Sequence, residues 1–251
     1  MKQLGLKLWS SNVQNYLEPA CRLYANGLFS YIELYIVPGT LHTLETWKSS
    51  GIPFAIHASH FAHGVNLAVE SQRETNAAIL KESLIFHKKL NASYLVFHGG
   101  MNGEIEETIR QMKQFQEPNM LIENKPYRPP HDMNLLCRGA IIEEIGTIIE
   151  KTGYGFCLDV GHAICTANAL ELPPYQYLER FQELTPFCYH ISDNKSDSTC
   201  DAHMHIGDGD YDLRRIFSII DASKPITLEI DKNCQDNLDD FEGDVRSICE
   251  F

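Results

Sequence analysis

Short apolar runs alternate along the whole chain with longer segments in which apolar positions recur every three or four residues. That alternation is the pattern of a parallel sheet whose strands are joined by crossover helices. Eight strands are predicted: Gly5–Trp9, Tyr31–Ile36, Phe54–Ala58, Tyr94–His98, Met120–Glu123, Gly155–Asp159, Phe187–Ile191 and Ile226–Ile230. The clearest helix is predicted over Ser71–Leu90, where Ala78, Leu80, Leu84, Ile85 and Lys88 trace faces at helical spacing and Asn91 stops the pattern. Gly103–Phe115 opens on Glu104, Glu106 and Glu107, which suit a helix N-terminus, and ends before Pro118. Gly139–Lys151 and Asp212–Asp221 read the same way. No linker or low-complexity stretch divides the chain, so residues 1–251 are expected to form one α/β domain, a single (β/α)8 TIM barrel with outer helices. The length of 251 residues matches the usual size of such a barrel, about 250 residues.

Composition narrows the setting. No run reaches the roughly 18 apolar residues of a membrane span, and the first ten residues lack a signal-like apolar segment. A soluble, cytoplasmic protein is expected, with no membrane partner. Eight cysteines are spread over the chain without a Cys-x-x-Cys pair, so most are expected to be reduced, buried small hydrophobes. The formal net charge of −13 disfavours a phosphate backbone as partner, because such binding relies on basic residues releasing counterions.

The chemistry lies at the strand ends. His57, His98, Glu123, Asp159, His190 and Glu229 each fall at or near the C-terminal end of a different predicted strand, and in a barrel these ends meet at one mouth. Glu33, in the second strand, could join them. His162, Asp201 and His203 lie just beyond strand ends, and the loops Asn124–Arg138 and Asp193–Asp210 are long enough to belong to a catalytic face. A single histidine near a strand end is more often structural than a ligand. Carboxylates in otherwise apolar strands, as at Glu123 and Glu229, are costly to bury without a cation. The convergent set therefore points to one or more divalent ions; imidazole and carboxylate together suit zinc, manganese, iron or cobalt, with zinc and manganese the leading pair. His42, His60, His63, His87 and His131 receive no role, and His205 could face either the site or the surface.

The ordered series Val-Phe-His98-Gly-Gly, Leu-Ile-Glu123-Asn, Leu-Asp159-Val-Gly-His162-Ala, Tyr-His190-Ile-Ser-Asp-Asn, Asp201-Ala-His203-Met-His-Ile-Gly and Leu-Glu229-Ile resembles the xylose isomerase-like barrel superfamily over nearly the whole chain. Two branches fit: sugar or sugar-phosphate isomerases and epimerases, and the endonuclease IV family of apurinic-site nucleases. The resemblance implies a shared metal held by Glu123, Asp159, His190 and Glu229. The nuclease branch further implies His98 at one added ion, and His162, Asp201 and His203 at another. The loop His57-Ala-Ser-His-Phe-Ala-His-Gly-Val-Asn66 also resembles that branch. Two departures from the nuclease pattern are expected: no histidine lies between His98 and Glu123 to complete one metal site, and Gly-Gly-Met-Asn-Gly lacks an aromatic wedge for opening a duplex.

The leading reading is an isomerase or epimerase of a small sugar or phosphorylated substrate. Glu123 and Glu229 would be catalytic, moving a proton through a metal-stabilised enediolate, with His57, His162, Lys125 and Arg128 contacting substrate. The alternative is an endonuclease IV-like phosphodiesterase with two or three metals. A barrel that only binds a ligand is the third class, and would leave the ligand set without a purpose.

Overall fold

The computed structural model describes every residue except Met1, Pro130, His131 and Met133; His131, given no role above, thus lies outside the described residues. Eight strands close into a barrel in chain order: β1 (Leu4–Trp9), β2 (Tyr31–Tyr35), β3 (Phe54–His57), β4 (Leu95–His98), β5 (Met120–Glu123), β6 (Gly155–Asp159), β7 (Cys188–Ile191) and β8 (Ile226–Leu228). Every neighbouring pair is parallel, including β8 with β1. Parallel neighbours cannot be joined by tight hairpins. The crossovers carry α1 (Val13–Ala25), α2 (Leu44–Ser49), α3 (Arg73–Lys89), α4 (Ile105–Met112), α5 (Ile142–Thr152), α6 (Val160–Ala169), α7 (Pro174–Gln182) and α8 (Leu213–Ile219), and α9 (Asp239–Ile248) follows β8. Both α6 and α7 follow β6. None of these helices is long and apolar enough to cross a membrane.

Strand alternation sorts the buried side chains into two sets. One face of the strands, with Leu6, Leu34, Ile56, Phe97, Ile122, Phe156 and Ile191, packs with helix residues in the main hydrophobic cluster. The other fills the barrel: Tyr31, Ala55, Tyr94, Val96, Leu121, Cys157 and Cys188 form a separate buried cluster. Two residues further along each of several strands, the same inward face carries Glu33, His57, His98, Glu123, Asp159 and His190. Gly5 is required at the floor, because a Cβ there would overlap the Tyr31 ring.

The eight strands lie where periodicity predicts them, with ends shifted by a residue or two. The long helix starts at Arg73 because Glu70–Gln72 forms a tighter 3-10 turn. The predicted start at Gly139 moves to Ile142, since Gly139 takes φ +76 and cannot begin a right-handed helix. None of the eight cysteines is in a disulfide, and half of them (Cys137, Cys157, Cys165 and Cys188) are buried rather than most.

Outside the barrel, Arg73 of α3 grips Glu107 of α4 through two hydrogen bonds of 2.5 Å, while Arg110 and Gln111 donate to the same carboxylate. The Arg73 hydrogen bonds, aided by Gln111 and Arg110, pull the Glu107 carboxyl down to about 2 from its usual 4.5. A carboxylate depressed on folding stabilises the native state above its unfolded pKa, and that stabilisation fades as pH falls towards the folded value. Glu107→Gln is therefore expected to lower Tm at pH 7, with the gap to wild type narrowing below pH 4.5; thermal melts across pH 7 to 2 would check it. A gap independent of pH would exclude an electrostatic role.

Candidate metal centre

The titratable side chains gather at the C-terminal end of the barrel as three linked groups. Glu123, Asp159, His190 and Glu229 place one ligand atom each within 4.8 Å of one another. His162, Asp201 and His203 do the same, as do His57, His98 and Glu123. Glu123 belongs to two of these groups: its Oε2 lies 3.0 Å from His57 Nε2 and 3.3 Å from His190 Nδ1, and its Oε1 lies 3.3 Å from His98 Nε2. Cys157 forms a further group with Glu123 and His190. Burial pushes the Cys157 thiol well up in the absence of an ion.

The expected gap in the nuclease-like ligand set does not hold. His57 at the end of β3, ahead of His98 in the chain, completes the group with His98 and Glu123; the donor comes from the strand on the other side of β4. His57 could therefore serve as a donor in that group, besides the substrate contact expected from the sequence.

The ring orientations fit metal ligation. His57 Nδ1 meets the Ala58 carbonyl at 2.9 Å and His162 Nδ1 meets the Asn124 carbonyl at 2.8 Å. A carbonyl only accepts, so each Nδ1 donates to it, which leaves Nε2 as the nitrogen turned towards the other members of the group. His190 has the opposite arrangement, with Nε2 donating to Glu33 at 2.9 Å and Nδ1 facing Glu229 at 2.7 Å and Glu123. Such outer hydrogen bonds fix the tautomer of a ligating histidine. His98 Nδ1 and Nε2, Glu123 Oε1 and Asp201 Oδ1 are buried without hydrogen-bond partners. Buried polar atoms rarely stay unsatisfied. A mixed imidazole and carboxylate set with orphaned donor atoms fits divalent metals such as zinc.

Local structure positions these groups. Asp159 caps α6, accepting from the His162 N–H at 2.6 Å, and Asn124 exchanges two hydrogen bonds with the Asp159 backbone. His162 is thus in the first turn of a helix rather than in a loop. That helix escaped the sequence pattern because it is buried almost all round, with no polar face to set a period. Asp193 organises the following loop by accepting N–H groups from Asn194, Gly207 and Tyr211. His203, in the left-handed region at φ 45, pairs closely with Asp201.

Electrostatics follow from crowding. Burial lifts the Asp159 carboxyl to about 7, with Asp201 and Glu123 adding to the effect against the pull of His162. Burial drives His98 down to about 3 despite Glu123 beside it. Burial also disfavours charge on His203, yet Asp201 raises it to about 9. Glu229 is held well below the carboxylate range by Lys7 and His190, which outweigh its desolvation.

Several residues fall elsewhere than expected. Glu33 is fully buried behind the cluster, where it accepts from Lys7 at 2.7 Å, from His190 and from the Tyr94 and Thr227 hydroxyls at 2.9 Å. Lys7, missed in the sequence, bridges Glu33 and Glu229; a lysine in the inward register of Leu-Gly-Leu-Lys-Leu-Trp was the available signal. A cavity of about 870 Å3 opens over the cluster, and Lys125, His98, His162, Asp201, His203 and Glu229 line it. Arg128 does not reach its wall and stands over the Tyr127 ring, 5.6 Å away. His60, given no role above, lines the cavity and stacks on His98 at 4.7 Å. His205 turns away to bond Asp244 at 2.8 Å.

A family model described as a xylose isomerase-like TIM barrel matches residues 43–250. The chain belongs to this family. The xylose isomerase-like family usually binds divalent metals such as zinc, and its members include isomerases, epimerases and endonuclease IV. The chain is 28% identical over 172 residues to a probable endonuclease 4 of Thermoplasma volcanium, a match covering 61% of this chain and 58% of that relative, so it spans less than two thirds of its length. Its fold matches endonuclease IV from Thermus thermophilus with a TM-score of 0.69 at 20% identity, over 99% of this chain and 100% of that one. A D-tagatose 3-epimerase-like protein gives a TM-score of 0.71 at 17% identity, over 100% of this chain and 99% of the other. Both neighbours share the barrel fold.

Proposed function

We propose that this chain is a divalent-metal phosphodiesterase of the endonuclease IV kind rather than a one-metal isomerase. One observation carries the reading: three ligand groups rather than one, two of them sharing Glu123, with His57 completing the set at His98. Glu123, Asp159, His190 and Glu229 would hold one ion, His57, His98 and Glu123 a second, and His162, Asp201 and His203 a third. When bound, such ions polarise a phosphoryl oxygen, activate water and stabilise a leaving oxygen. The chain's own contribution is to pre-orient the donors: Ala58, Asn124 and Glu33 each lock one imidazole.

Access of Glu123 weighs against the proton shuttle expected from the sequence. Glu229 lines the cavity, but Glu123 does not; it is fully buried among His57, His98 and His190. A carbon acid in the cavity therefore meets one of the two glutamates that an isomerase would need. The alternative isomerase reading rests on the four-residue group alone, which suffices for one ion.

Elemental analysis of protein purified without added metal tests the reading, alongside cleavage of oligonucleotides carrying an abasic site and epimerisation of ketoses. Three ions in wild type, two in His57→Ala, and diester cleavage that falls by about a hundredfold or more in the variant are expected. A single ion in wild type, unchanged in His57→Ala, together with ketose epimerisation, would overturn it.

A further inference from the structure

Three lysines line the cavity, and two of them are engaged. Lys7 lies between Glu33 and Glu229, and Lys232 donates to the Ile230 carbonyl. Lys125 differs. It is 1% exposed, and its Nζ has no hydrogen-bond partner. Its backbone is fixed, the N–H donating to Gly139 at 2.9 Å and the carbonyl accepting from the Thr166 hydroxyl at 3.2 Å. The Phe61 ring, 4.3 Å from the ammonium, stands on one side. A cation over an aromatic face recovers part of its lost hydration and satisfies none of its three donors.

A buried ammonium without a carboxylate partner is rare and costly. Here the surroundings add to the cost. The three ligand groups contain four carboxylates, Glu123, Asp159, Asp201 and Glu229, which cannot neutralise three divalent ions. The loaded site therefore carries excess positive charge, with the Lys125 ammonium beside it. An anion in the cavity answers both the charge and the unsatisfied donors.

We infer that Lys125 anchors a phosphoryl-oxyanion subsite beside the metal centre, its ammonium donating to a non-bridging oxygen of the substrate. This rests on the phosphodiesterase reading for the ions that place the phosphorus nearby. The shared chemistry is a phosphoryl oxyanion, which either a diester or a terminal monoester supplies.

The test is calorimetric titration of inorganic phosphate, dimethyl phosphate and glycerol phosphate into the metal-loaded wild type, Lys125→Met and Lys125→Arg, with metal content and Tm measured for each. Lys125→Met is expected to weaken the preferred anion by about tenfold to a hundredfold, the loss of a charge-assisted hydrogen bond, while ion content stays unchanged. Lys125→Arg should retain part of the affinity. Because the ammonium is unpaired, Tm of Lys125→Met should hold or rise. A preference for dimethyl phosphate assigns the subsite to a diester, and a preference for glycerol phosphate to a terminal phosphoryl group. Unchanged anion affinity in Lys125→Met overturns the subsite, as does a fall in Tm with loss of metal that Lys125→Arg does not restore. If the wild type cleaves no diester yet anion affinity depends on Lys125, the subsite stands and the hydrolase reading falls.

Discussion

Glu123→Gln is expected to strip the centre of two ions and reduce turnover by about a thousandfold or more, equivalent to roughly 4 kcal/mol of lost transition-state stabilisation. The size of the effect comes from sharing. One oxygen of Glu123 faces His57 and His190, and the other faces His98 and His162, the latter at 3.3 Å. An amide of the same shape replaces one acceptor oxygen by a donor and removes the charge, so both groups that use Glu123 lose a ligand together. The group of His162, Asp201 and His203 does not contain Glu123 and should keep its ion. Elemental analysis and single-turnover kinetics read the two losses separately, and circular dichroism confirms that the variant is folded. Full metal content with wild-type turnover would remove Glu123 from the centre.

The second large effect is on stability. Lys7 is 6% exposed and Glu33 is wholly buried, so the pair sits where a lone charge is expensive. Lys7→Met should destabilise the metal-free protein by about 3–5 kcal/mol, because Glu33 and Glu229 lose their counter-charge. For a domain of this size that corresponds to a Tm drop of roughly 10 °C. Burial alone would suppress the Lys7 charge, but Glu229 and Glu33 hold it protonated above its ordinary range, so the wild-type pair keeps its counter-charge throughout the neutral range. Adding Glu33→Gln to Lys7→Met should recover much of the loss: the uncompensated charge goes, while the amide oxygen still accepts from the Tyr94 and Thr227 hydroxyls. Melting of the four proteins of this cycle in chelator measures the coupling. Independent, additive effects would mean that the two residues do not act as a pair.

The barrel was legible because each strand is short, apolar and followed by a break, and periodicity reports that directly. The helices were less so. The helix Val160–Ala169 has no polar face and so lacks the amphipathic stripe that a sequence reading seeks, whereas Val13–Ala25 carries one, through Val13, Tyr16, Ala20 and Leu23, but is interrupted by Pro19, which reads as a helix breaker. At the site, the strand-end rule located the side chains that gather at the mouth, but it could not assign them to groups. Whether His57 approaches substrate or Glu123 depends on a ring orientation set by the Ala58 carbonyl, a backbone contact with no mark in the sequence. Lys7 was hidden for a different reason: a lysine in an apolar strand reads as an edge or surface residue until the barrel closes and its neighbours Glu33 and Glu229 become visible.

The division of the ligands along the chain has a consequence for how such barrels diversify. The four residues of the innermost group all come from the second half of the barrel, at or just beyond the ends of β5, β6, β7 and β8. The added donors come from β3, β4, the first turn of α6 and one loop, and none of them belongs to the main hydrophobic cluster. Under the proposed assignment, a change at His203 would remove an added ion without touching the four side chains of the first group. If so, a few substitutions around a shared four-residue group would separate mononuclear from polynuclear chemistry, and membership of such a barrel family is by itself a poor guide to reaction type.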